Sequence, residues 1–235
     1  MRDKFISLLQ FILLLMLQFI PLLMLTQVLP TLAWLLGGLG RSMAAQIVAA
    51  LLFTVAAVAM CGLYLQLYLK QADGYFHNWK SRFSGKKLLW AAGYIALMLA
   101  INPLYEMLMA ALGVESSVDN LQNQLIIMEM LQRAPLTMAA YIVLFAPVLE
   151  ELLLRGIFFQ SFGSIENRGK RWLLLVLSAF IFGSLHSLPV HYDFLLYFAM
   201  GLVLGAAYLH TKDLKYPILI HMVNNALGLA GMLFE

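Results

Sequence analysis

The chain has 235 residues, 63% of them hydrophobic and 11% charged. Soluble domains carry about 25% charged residues, so a membrane protein is the expected class. The net charge is only +3, and the basic residues sit in short loops rather than along one face, which argues against a nucleic-acid partner.

Seven apolar runs approach the roughly 20 residues that a spanning helix needs: 5–28, 43–69, 88–112, 135–158, 172–190, 192–210 and 217–234. Arg2 and Lys4 would suit a signal-peptide n-region. The run after them is long enough to span, however, and no small-residue cleavage site follows it, so an uncleaved first helix is expected. Pro21 and Pro30 would kink this helix. Residues 30–40 then either continue it at an angle or form a short interfacial turn. The single cysteine, Cys61, lies in the second run. It reads as a small buried hydrophobe and excludes a disulfide framework or a cysteine metal site.

Residues 70–87 carry Tyr75, Phe76, Trp79 and Phe83 among lysines. They read either as a stretch lying on lipid headgroups or as a basic loop with interface aromatics. Residues 113–134 are acidic and polar as far as Gln124. Ile126, Ile127, Met130 and Leu131 then mark one side of a short amphipathic helix. Up to about residue 130 little chemistry is expected, because charged groups such as Glu106 stand alone. With the N-terminus inside, twelve lysines and arginines fall in inner segments, against Arg41 and Arg133 outside. The positive-inside rule then predicts an all-α, N-in polytopic bundle of about seven helices.

The second half differs. Glu150-Glu151-x-x-x-Arg155 lies within an apolar run, where an ionised side chain costs roughly 2.5–3.5 kcal/mol on insertion scales. On a helix, Glu151 and Arg155 share a face and neutralise each other. Glu150 is rotated by about 100° and stays free. The next run holds Phe182-x-x-x-His186, and the last holds His221-x-x-Asn224-Asn225, with His221 and Asn225 on one face. Between them, Gly201 and Gly205 make a small-residue face for close helix packing. An apolar pocket disfavours the charged form of a carboxylate, which makes such a group a usable general base for water. Histidine and amide groups can hydrogen-bond an oxyanion. Glu150, His186 and His221 could instead bind a divalent ion such as zinc. There is no His-Glu-x-x-His, Gly-x-Ser-Gly or Gly-x-Gly-Asp motif, and Tyr192-Asp193 supplies only half of the last.

Taken in order, these three motifs resemble those of the CPBP intramembrane proteases, the CAAX-protease and bacteriocin-processing (Abi) family. The resemblance covers roughly 130–235. It divides the chain into N-terminal helices and loops (1–130) and a catalytic core (131–235) within one integrated membrane domain. It implies that Glu150 and His186 activate water, that His221 and Asn225 form the oxyanion site, and that Glu151 and Arg155 support them. Leu154 stands where many members have an aromatic residue. Glutamate and metal mechanisms have both been proposed for the family; the favoured reading here needs no cofactor. The expected setting is a bacterial plasma membrane, with membrane lipid and a peptide or membrane-protein substrate as partners. Bacteriocin or signal-peptide processing, or self-immunity, would be the role. The alternative is a non-proteolytic scaffold or immunity protein that keeps the polar cluster for folding. The oligomeric state is open. With straight helices, His221 would lie about 6 Å and His186 about 21 Å from the inner boundary, depths that do not meet.

Overall fold

The structure is a computed structural model that describes residues 20–39, 42–71, 79–114, 121–161, 167–187 and 191–234. Every described element is helical. In chain order these are α1 (Ile20–Thr26), α2 (Val28–Leu36), α3 (Met43–Gln71), α4 (Gly85–Ala111), α5 (Gln122–Arg133), α6 (135–161), α7 (Arg168–His186), α8 (Asp193–Thr211) and α9 (Lys215–Phe234). Three of them, Met43–Lys70, Gly85–Ala111 and Asp193–Thr211, are long and apolar enough to cross a membrane. Only 22% of the apolar window is buried in each of the first two, against 56% in Asp193–Thr211. Hence α3 and α4 form the outer wall and α8 is an inner helix.

Most of the first apolar run, together with Tyr75 and Phe76, lies outside the described residues. The break in the following helix falls at Gln27, not at a proline. Pro30 is the third residue of α2, where a missing N–H leaves no helical bond unmade. The segment after it stays helical and ends in the 3₁₀ turn Gly37–Leu39. Trp79 and Phe83 both touch protein. Trp79 packs edge-on against Tyr68 and Phe83 against Tyr216, although Phe83 stays exposed. Cys61 is half-buried and free.

The fifth expected span is displaced toward the N-terminus. Its helix begins at Arg168 because Asn167 caps it, its side chain accepting from the Lys170 N–H at 3.2 Å. Arg168, Lys170 and Arg171 therefore sit in the first turn, where long basic side chains can reach out from an apolar helix. At the other end of the hairpin, Lys212 takes a left-handed conformation (φ 54°) and closes α8.

Helix α6 is the hub. It packs against α2, α3, α5, α7 and α9, while α8 and α9 both pack on α4. The tightest pairing, α7 with α8, uses the small-residue face expected from the sequence. A Cβ on Gly201 would come within 2.9 Å of the Ala179 backbone, and one on Gly205 within 2.4 Å of Leu175. Backbone cannot yield as a side-chain tip can. Gly201→Val should therefore lower stability by about 1–3 kcal/mol, read as a fall in the thermal midpoint in detergent.

Candidate active site

Two widened π-helical turns, Tyr141–Phe145 and Leu152–Ile157, flank the segment Ala146–Glu151 that carries both glutamates. The first has a local cause. Pro147 lacks the N–H that the Val143 carbonyl would accept, and its ring crowds that carbonyl. The second is held from outside. Ser178 of α7 donates to the Leu154 carbonyl at 2.9 Å, with Ser178 fully buried. Turns of this kind recur at functional sites because they re-aim neighbouring side chains. Ser178→Ala should cost about 1–3 kcal/mol, since the buried carbonyl loses its side-chain donor. Chemical denaturation compared with the parent chain would measure this.

The two carboxylates go to different places. Glu151 and Arg155 are fully buried and joined at 2.9 Å. Arg155 also donates to the Gly201 carbonyl at 2.9 Å and lies over the Phe182 ring at 5.0 Å. The glycine that permits close helix approach thus also presents its carbonyl to the arginine. Glu150 keeps 23% of its side-chain surface exposed and lines a cavity of about 870 Å³.

His186 and His221 line the same cavity. His186 Nε2 is 3.8 Å and His221 Nε2 is 3.9 Å from Glu150 Oε2, an oxygen with no hydrogen-bond partner among the described residues. The far sides of both rings are anchored. His186 Nδ1 is 2.8 Å from the Phe182 carbonyl, which can only accept, so this nitrogen carries the proton. His221 Nδ1 is 3.0 Å from Glu151 Oε1. That oxygen already accepts from Arg155, so His221 Nδ1 also donates. In their neutral forms, both rings therefore turn a bare Nε2 toward Glu150. His186 is also stacked on Tyr197 at 4.8 Å, and Phe182 packs edge-on against His221 at 5.8 Å.

The depth mismatch drawn from straight helices is corrected. His186, the last residue of α7, and His221, near the start of α9, meet at one carboxylate. Asn225 shares the cavity, but its Nδ2 donates to the Ile142 carbonyl inside the first widened turn at 3.0 Å. Its oxygen accepts from Asn224 at 3.4 Å. Tyr197 and Ser178 had no signal in the sequence; a serine or tyrosine in an apolar helix reads as packing. The first half of the chain supplies more than expected, because Met98, Asn102, Asn123 and Gln124 also line the cavity.

A zinc site of two histidines and a glutamate is a known hydrolytic donor set. Histidines whose other nitrogen is hydrogen-bonded to a carboxylate or carbonyl are usual in such sites. The spacings of 3.8 and 3.9 Å exceed the roughly 3.4 Å expected between atoms sharing one tetrahedral zinc. Among the described residues no group of three such side chains reaches metal-ligand spacing.

The fold and this site define a helical membrane protein with a glutamate and two histidines gathered in a buried cavity. Comparison with known proteins shows what this site region is similar to. Residues 132–227 match the profile described as "Type II CAAX prenyl endopeptidase Rce1-like", a stretch that contains all three motifs. "Putative membrane peptidase YdiL" of Bacillus subtilis (strain 168) is 30% identical over 60% of this chain and 54% of its own length. "UPF0177 protein YbdI" of Lactococcus lactis is 24% identical over 68% and 84%. "Membrane-embedded CAAX protease MroQ" of Staphylococcus aureus is 33% identical over 36% and 35%. The chain thus spans about half the length of the first relative and about a third of the last. No solved structure matches the chain.

Proposed function

We propose that the chain is an intramembrane endopeptidase in which Glu150 activates a water for direct attack on a peptide carbonyl. The observation that carries this reading is the bare Oε2 of Glu150, faced by His186 and His221 Nε2 at 3.8 and 3.9 Å. Those gaps suit groups bridged by one water. Glu150 takes one water proton as the oxygen attacks, and His186 Nε2 accepts the other hydrogen bond and orients it. The proton on Glu150 then passes to the leaving amine nitrogen as the C–N bond breaks.

His221 has a more specific role than its position alone suggests. With a bare Nε2 it can accept but not donate, so only its protonated ring can hydrogen-bond an oxyanion. The bond from Nδ1 to Glu151 fixes the orientation of the ring. Asn225 has one amide hydrogen on Ile142 and one left for the oxyanion. The two together form the oxyanion site. If a divalent ion binds, Glu150, His186 and His221 would hold it, and it would acidify a bound water.

The substrate is a peptide or a membrane-protein segment, in a bacterial plasma membrane, with maturation of secreted peptides or self-immunity as the setting. Support for the bacterial setting comes from the relatives. The test is digestion of a membrane-peptide library by the purified protein, with and without chelator. Cleavage that chelator leaves unchanged is expected. Loss of cleavage, restored by one divalent ion, would move the three residues into ligand roles. A chain that cleaves nothing, yet keeps its cellular function when Glu150 is changed to Gln, would be a scaffold.

A further inference from the structure

The cavity has a second polar face that the proposed chemistry does not use. Asn102 of α4 and Gln124 of α5 line it, yet Asn102 Oδ1 and Gln124 Oε1 are buried with no partner among the described groups. A buried polar atom left unsatisfied costs about 1–3 kcal/mol. Two further features agree. Pro103 follows Asn102 within α4 and lacks the N–H that the Leu99 carbonyl would accept, and Leu99 also lines the cavity. Asn123, next to Gln124, donates to the Tyr197 hydroxyl at 3.3 Å, and the Tyr197 ring stacks on His186. Gln124, through its neighbour Asn123, is thus one tyrosine ring away from the catalytic histidine, and Asn102 adds a second unpartnered acceptor to the same cavity.

A helical substrate cannot satisfy such acceptors, because its N–H groups are spent on its own backbone. Nor can a hydrocarbon chain, which has no donor. An extended polypeptide can, since its main chain offers N–H and C=O groups in turn while its side chains enter the apolar walls. We propose that Asn102 and Gln124 form a main-chain clamp that holds the substrate as an extended, unwound apolar segment beside His186. The clamp rests on the peptidase reading for the identity of its ligand, but its test needs no cleavage.

The probe is a fluorescein-labelled 12-residue peptide of leucine and alanine with terminal lysines, plus a series carrying one N-methyl group at each position. Binding is followed by fluorescence anisotropy to the full chain in detergent, with Glu150→Gln preventing turnover. At one or two positions N-methylation should weaken binding about 5–30-fold, the effect of removing one or two buried hydrogen bonds. Adding Asn102→Leu and Gln124→Leu should weaken the unmodified peptide by a similar factor and abolish the penalty at those positions. A flat N-methyl scan on the chain with native amides overturns the clamp even if the leucine variants fail to fold. An equal penalty in both proteins overturns it too, as does failure of the unmodified peptide to bind. Failure of the peptidase reading looks different: the wild-type chain yields no products while the binding pattern stands.

Discussion

Glu150→Gln is expected to lower the cleavage rate by about 10²–10⁴-fold, the usual contribution of a positioned general base, with the fold unchanged. The amide is nearly isosteric with the carboxylate but cannot take a proton from water at neutral pH. Among the described residues Glu150 makes no short hydrogen bond, its nearest charged or ring partners being imidazole nitrogens at 3.8 and 3.9 Å. Little packing or pairing is therefore lost. Parallel rate measurements and thermal melts in detergent would check both halves. A variant that loses activity and stability together would place Glu150 in the structural network instead.

Arg155→Met should have the opposite profile, with stability falling by about 3–5 kcal/mol, the range for removing one partner of a buried ion pair. Among the described residues the change leaves Glu151 buried with only His221 beside its carboxylate, and it strips the Gly201 carbonyl of its donor. Combining it with Glu151→Gln should restore part of that stability, because the uncompensated charge is gone. The combination should not restore activity, since His221 loses the carboxylate that holds its ring. A double-mutant cycle on unfolding, read beside cleavage rates, separates the two effects.

These contrasting outcomes follow from two adjacent residues, and the difference between them was legible in the sequence. A helix turns about 100° per residue, so only one of the glutamates could pair with Arg155. Gly201 was legible for a similar reason, because small residues four apart in an apolar helix have few uses other than close packing. The bond from His221 to Glu151 was not legible. It joins helices 70 residues apart in the chain and depends on a tilt and depth that hydropathy does not encode. Asn102, one amide in an apolar run, and Gln124, one amide in a polar stretch, carry no pattern in the sequence; the cavity that both line is what joins them. The widened turns of α6 come from Pro147 and Ser178, the first visible in the sequence but ambiguous, the second acting from another helix.

The most direct measurement is digestion of the membrane-peptide library in ¹⁸O-labelled water, with products read by mass spectrometry for the wild-type chain and for Glu150→Gln. A water attacking the peptide carbonyl predicts wild-type fragments whose new carboxyl carries one solvent oxygen, each matched by a fragment with a free amine, and a yield from Glu150→Gln lower by about 10²–10⁴-fold. Fragments without the label, or equal yields from both proteins, would contradict it.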